Sequence, residues 1–152
     1  MIGKVELIVD GINISGQLHL PEGRAPYPTV GVCYGIPAHC SESGDNGGYP
    51  LLAERICQEG FAVFIFNFRR TGDSGGNLDL SGWVKDLGGV IDYLITLPEA
   101  VRSGLSLLGF SGGVAVSLYM WHRGIAGYRV WRSVPAQRNL ALSMTLTGRH
   151  RS

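Results

Sequence analysis

The sequence has no acidic residue after Glu99, although residues 100–152 contain seven arginines. Residues 1–99 carry six basic and all twelve acidic side chains, a formal charge of −6, whereas residues 100–152 carry +7. These arginines are scattered among apolar residues and form no run, so they give little support to a nucleic-acid-binding arm. A segment with many arginines and no acidic residues is more typical of an out-of-frame or wrongly ended translation.

Cysteines are few, and long apolar runs are absent. Cys33, Cys40 and Cys57 are odd in number and unpatterned, which favours reduced thiols in a cytoplasmic protein. No run approaches the ~20 apolar residues of a membrane span, and residues 1–6 lack a signal-peptide core, so we expect no membrane association. Cys33, His39 and Cys40 resemble metal ligands, but no fourth ligand follows at a finger-like spacing, so we expect neither metal nor cofactor.

The chain is otherwise typical of one globular domain: 152 residues, 45% of them hydrophobic and 16% charged. Asp10-Gly11 separates two strand-like stretches, residues 4–9 and 12–20, and predicts a hairpin. His19 falls on the polar side of the second stretch, so we expect it to be exposed. Strands and helices then alternate, which predicts a doubly wound, mostly parallel sheet with an antiparallel leading hairpin. The predicted strands are residues 29–34, 61–66 and 105–109; the predicted helices begin at Pro50, at a Ser81 cap (apolar stripe Trp83, Leu87, Val90, Ile91, Leu94) and at Val114.

The stretch Gly109-Phe110-Ser111-Gly112-Gly113 joins the last predicted strand to the last predicted helix. Gly-x-Ser-x-Gly in that context is typical of a nucleophile elbow, in which a tight turn holds the serine hydroxyl at the carboxyl edge of the sheet. The pattern by itself is weak because the chain has 23 glycines, and a glycine-rich corner without function is the alternative. A dinucleotide fingerprint fits less well, since Ser111 stands where it needs a glycine.

Three stretches together resemble the α/β-hydrolase family, particularly its esterase, thioesterase and dipeptidyl-peptidase-like branch. They are Tyr34-Gly35-Ile36-Pro37, the loop 67–76 (Asn-Phe-Arg-Arg-Thr-Gly-Asp-Ser-Gly-Gly) and the serine motif, in the family's order. The resemblance implies that Ser111 is the nucleophile of a serine hydrolase acting on a small acyl substrate without a cofactor. It also implies oxyanion donors at the Ile36 and Gly112 N–H groups. Tyr34, Gly35, Arg69 and Arg70 would line the site, although a solvated loop pair is the alternative for the two arginines.

The family's mechanism needs an acid and then a histidine after the serine, and no acid follows Ser111. We expect His122 to be a solvent-facing helix residue, and His150 has no partner acid downstream of Ser111. Residues 1–127 therefore resemble the amino-terminal part of a hydrolase domain. Residues 128–152 are expected to be a poorly structured, arginine-rich tail, although 128–135 could form an edge strand. A catalytically incomplete fragment or a binding protein is the alternative function, and the sequence leaves the oligomeric state open.

Overall fold

The structure, a computed structural model, describes residues 1–35, 48–123 and 128–132. For residues 101–103 and 128–132 it describes the backbone only. The described strands and helices follow the predicted alternation. In chain order they are β1 (Ile2–Val9), β2 (Ile12–His19), β3 (Tyr27–Cys33), α1 (Tyr49–Gln58), β4 (Ala62–Phe66), α2 (Leu80–Thr96), β5 (Ala100–Gly109), α3 (Gly112–His122) and β6 (Tyr128–Arg132).

The six described strands form one sheet in the order β1-β2-β4-β3-β5-β6. β1 and β2 form the predicted antiparallel hairpin, whose turn residues Asp10 and Gly11 both have positive φ, as a tight hairpin turn requires. β2 pairs antiparallel with β4, and β4, β3, β5 and β6 run parallel. The predicted fold class, a doubly wound and mostly parallel sheet with an antiparallel leading hairpin, is confirmed.

Helices cover the two faces of the sheet. α2 and α3 bury one face, in a cluster that includes the predicted stripe of α2 and the β-strand residues Ile14, Phe64 and Leu107. α1 covers the other face with Ala53, against Val63 and Ile65 of β4. β4 is buried along its whole length because its side chains alternate between these two cores, which explains its uninterrupted apolar run.

The start of α2 differs from the prediction. Asp79, and not Ser81, is the N-cap, since its carboxylate accepts hydrogen bonds from the backbone N–H groups of Ser81 and Gly82 at 3.0 Å. Ser81 is already inside the first turn, where its hydroxyl also donates to Asp79. Both side chains are good caps, and the choice between them depends on where the preceding loop ends.

His19 was expected to be exposed, and this is wrong. The residue is 1% exposed and lines a cavity with Glu54 and Cys57 of α1. The polar side of β2 faces α1 at this point, so alternation along the strand indicates the correct side but not whether that side meets solvent. His122, at the end of α3, is exposed as predicted.

β6 lies in the stretch for which the sequence left a tail and an edge strand as alternatives. It pairs in parallel with β5, from Leu105↔Tyr128 to Gly109↔Arg132. The sheet thus continues past the predicted boundary at residue 127 and uses the edge-strand alternative for residues 128–132. The remainder of the predicted tail lies outside the described residues, as do Ile36, His39, Cys40 and His150.

Candidate active site

Ser111 lies at the turn between β5, which ends at Gly109, and α3, which begins at Gly112. Its backbone has φ 49° and ψ −126°, a conformation that costs a non-glycine residue on the order of 1–3 kcal/mol. The residue is exposed, and its side chain does not cap α3 although Ser111 occupies the N-cap position. The hydroxyl is therefore presented to solvent at the carboxyl edge of the parallel strands, where ligands of such sheets bind.

Glycines on both sides of Ser111 allow the turn to be this tight. A Cβ on Gly109 would come within 2.9 Å of Val114 Cα, and one on Gly113 would collide with the carbonyl oxygen of Cys33. That carbonyl accepts a hydrogen bond from the Phe110 N–H at 2.8 Å. The start of α3 is thus packed directly on the carboxyl end of β3, which a larger residue at either position would prevent.

Of the two predicted oxyanion donors, Gly112 is described, whereas Ile36 lies outside the described residues; Gly35, the residue before it, lies beside Gly112. A Cβ on Gly35 would lie 2.9 Å from Gly112 N and 3.4 Å from Ser111 Cβ, so the chain leaving β3 passes directly beside the serine. Gly112 is the first residue of α3, and its N–H therefore has no acceptor within the helix. The positive end of the helix dipole adds to this donor, which suits a developing negative charge.

Tyr34, a predicted site-lining residue, is 1% exposed and belongs to the packing beneath the site. Its hydroxyl donates to Asn67 Oδ1 at 2.7 Å, and its ring stacks on Tyr49 with centroids 4.0 Å apart. Burial, reinforced by Tyr49 and Asp73, raises the pKa of the Tyr34 hydroxyl well above its usual range, so this group stays protonated. The hydrogen bond links the loop after β3 to the loop after β4.

Arg69 and Arg70, also predicted to line the site, differ in their surroundings. The Arg69 side chain is 7% exposed and forms an ion pair with the fully buried Asp86 of α2, so the solvated-pair alternative does not describe it. The hydrogen bond to Asp86 raises the pKa of the Arg69 guanidinium. Arg70 is exposed with φ 64°, and its N–H donates to Gly75 O at 2.7 Å, which closes the 67–77 loop on itself.

Trp83 is the neighbour of the elbow that sequence reasoning placed only in the apolar stripe. Its Cζ3 lies 3.0 Å from the position that a Cβ on Gly112 would take. Its Nε1 donates to the carbonyl oxygen of Arg69 at 3.1 Å. The sequence signal that this side of α2 meets the 67–77 loop was Asp86, an acid on the same buried side of the helix as Trp83, Leu87 and Val90.

Two negative findings apply to the described part of the chain. Within residues 1–35, 48–123 and 128–132, no group of three His, Cys, Asp or Glu side chains is arranged to hold a metal ion. In the same part of the chain, no helix is long and apolar enough to cross a membrane.

Comparison with solved structures identifies the fold class as that of the α/β hydrolases. The described architecture matches a serine hydrolase without a lid from Xanthomonas campestris with a TM-score of 0.66 and 28% identity, over 80% of this chain and 56% of that one. An esterase from Pyrococcus furiosus matches with a TM-score of 0.61 and 25% identity, over 82% of this chain and 46% of that one. The predicted resemblance to α/β hydrolases is therefore confirmed.

Sequence comparison finds a relative whose function is not described. An uncharacterized protein of Pseudomonas aeruginosa is 25% identical over an alignment of 114 residues that covers 71% of this chain and 29% of the relative. No protein-family model matches the sequence. The chain spans less than a third of this relative and about half of each of the two hydrolase structures.

Proposed function

We propose that this chain is the nucleophile-bearing part of a serine hydrolase that acts on esters, thioesters or related acyl compounds. The observation that carries the proposal is the strained, exposed conformation of Ser111 at the junction of β5 and α3. Backbone strain at a solvent-exposed serine has no structural benefit of its own and is typical of a reactive group held in place by its surroundings. The three cysteines of the sequence are odd in number and unpatterned, which favours a reducing, cytoplasmic setting.

In the proposed reaction, Ser111 Oγ attacks the acyl carbon of the substrate. The carbonyl oxygen then carries negative charge, which the N–H groups of Gly112 and Ile36 stabilise. The Ser111 hydroxyl proton passes to the general base and from there to the alcohol or thiol, which leaves as its bond to the acyl carbon breaks. The acyl group stays on Ser111 until water, giving its proton to the same base, attacks it and releases the acid. The chemistry needs no cofactor, because acyl transfer involves only proton movements and a nucleophile.

The general base of this reaction is not found among the described histidines. His122 is eleven residues from Ser111 along α3, a separation of about 16 Å at the rise of a helix. His19 lies at the start of the β2–β4 pairing, opposite Val63, and therefore at the other edge of the sheet. A base supplied outside the described residues is thus part of the proposal.

The proposal is tested by reaction of the purified chain with a fluorophosphonate probe, followed by peptide mass spectrometry. We expect the label on Ser111, at least about 100-fold faster than on any other serine, because oxyanion donors and binding retain substantial catalysis without the base. Ser111→Ala should abolish the signal, whereas Ser81→Ala, which removes another exposed serine, should leave it unchanged. Equal labelling of wild type and Ser111→Ala would overturn the proposal.

The distance between Ser111 and both described histidines also favours a second candidate, a binding protein that retains the elbow without catalysis. In that candidate the N–H groups beside Ser111 are not aligned on an oxyanion, so it predicts that Ser111 reacts no faster than other exposed serines, and the same experiment separates the two functions.

A further inference from the structure

The backbone of the elbow has little support from its own side chains. Gly112 has no side chain, and glycine explores more backbone conformations than any other residue. Ser111 beside it is held in a strained conformation. An oxyanion donor must nevertheless keep its direction to within about 0.5 Å and 10–20° to be effective. The Gly112 N–H therefore needs a rigid neighbour.

Among the described residues, the Trp83 side chain lies beside Gly112. Its six-membered ring places Cζ3 3.0 Å and Cη2 3.7 Å from the position of a Cβ on Gly112, so the ring occupies the space that a side chain there would need. Trp83 is 2% exposed. The indole thus packs against Gly112 from within the protein, on the side where α2 meets α3.

Trp83 is itself held by two buried contacts. Its Nε1 donates to Arg69 O, and its ring stacks on Phe68 with centroids 4.6 Å apart and planes 10° from parallel. Arg69 is fixed in turn by Asp86, one turn further along α2, which accepts from the Arg69 backbone N–H at 2.9 Å and from Nη2 at 2.8 Å. The indole cannot shift without breaking a buried hydrogen bond or the ring stack.

From this arrangement we infer that Trp83 is a positioning residue for the oxyanion donor at Gly112. The inference rests on the proposed function of Ser111 and goes beyond it, because it assigns a role to a side chain that contacts neither substrate nor nucleophile. Arg69, in the loop after β4, is held by Asp86 and in turn holds Trp83. Through Trp83, this loop determines the direction of the Gly112 N–H at the turn after β5. Loss of the ring lets the Gly112 peptide rotate and weakens stabilisation of the transition state, while substrate binding is unaffected.

The test is a double-mutant cycle between Trp83→Phe and Gly112→Ala, measured as the fluorophosphonate labelling rate of Ser111 at increasing probe concentration. We expect Trp83→Phe to lower the limiting rate about tenfold, below the 10²–10³ of losing a whole donor, with an unchanged half-saturating concentration. Gly112→Ala should slow wild type strongly, since its Cβ meets the ring. It should slow the Trp83→Phe background much less, because the space is then open.

Ile91→Val is the matched control, because Ile91 is buried in the same helix away from the elbow. It should lower stability by about 1 kcal/mol and leave the labelling rate unchanged. Additive effects of Trp83→Phe and Gly112→Ala on the labelling rate would overturn the inference, and so would a rate loss in Ile91→Val equal to that in Trp83→Phe. In either case the labelling of Ser111 in wild type would still support the proposed function. Absence of Ser111 labelling in wild type would overturn the proposed function and this inference with it. Trp83→Tyr replaces Trp83→Phe in the cycle if the latter does not fold.

Discussion

Arg69 and Asp86 form a buried ion pair in which one carboxylate holds both the side chain and the backbone of the arginine. Asp86 Oδ1 accepts from Arg69 Nη2 at 2.8 Å and Nε at 3.1 Å, while Oδ2 accepts from the Arg69 backbone N–H at 2.9 Å. The two side chains are 7% and 0% exposed. The guanidinium also lies over Gly82, where a Cβ would come within 2.5 Å of Nε. The pair thus fixes the start of the 67–77 loop on α2.

Removal of one partner of this pair should be strongly destabilising. Asp86→Ala leaves a buried guanidinium and a backbone N–H without their acceptor, and such losses cost about 3–5 kcal/mol. Urea unfolding followed by circular dichroism measures the change. The double variant Arg69→Met, Asp86→Leu removes both charges and should recover most of the lost stability. A loss below about 1 kcal/mol for Asp86→Ala would show that the pair is solvated.

A methyl group at position 35 should impair the elbow specifically. In Gly35→Ala the new Cβ meets Gly112 N at 2.9 Å and Ser111 Cβ at 3.4 Å, so the turn must move. We expect the fluorophosphonate labelling rate of Ser111 to fall by about 10-fold to 10³-fold, the upper value being that for a lost oxyanion donor. Gly3→Ala is the control, because nothing lies within 4 Å of a Cβ there. Similar labelling of the two variants would contradict the geometry.

His19 should make folding sensitive to mild acid. Burial lowers the pKa of its imidazole below 6.5; the nearby Glu54 opposes this shift, and the amino-terminal ammonium adds to it. In the range between the lowered pKa and 6.5, the unfolded chain binds more protons than the folded one. The contribution of His19 to the free energy of unfolding should therefore be fully present above about pH 6.5. It should decrease as the pH falls below that value.

Urea unfolding at pH 7.5 and 5.5 checks this expectation. His19→Gln should flatten the pH dependence between these values, whereas His122→Gln should retain it, because His122 is exposed at the end of α3. An unchanged pH dependence in His19→Gln would mean that another group causes the acid sensitivity.

The chain by itself should show little turnover of p-nitrophenyl acetate. Without a base the Ser111 hydroxyl stays protonated at neutral pH, and loss of the catalytic histidine costs serine proteases on the order of 10⁶ in rate. Initial rates of the purified chain should therefore lie close to those of Ser111→Ala. Turnover far above that variant would reveal a base near Ser111, with His39 and His150 the first positions to substitute.

Much of the fold was determined by local pattern. The apolar run of β4, the Asp10-Gly11 turn and the α2 stripe each predict their element because burial on one or both faces dictates the spacing of apolar residues. The position of Ser111 between a strand and a helix was predictable from the apolar strand before it and the helix-forming run after it, and glycines at 109 and 113 allow the tight turn there.

Other features were decided by neighbours that are distant in the sequence. His19 is buried because α1 crosses the polar side of β2, and Arg69 is not solvated because Asp86, seventeen residues later, faces it. The contact of Trp83 with Gly112 has the same origin. Periodicity shows which side of an element a residue occupies. Only the packing of one element on another determines what that side meets, and at this site that packing places the Trp83 indole beside Gly112.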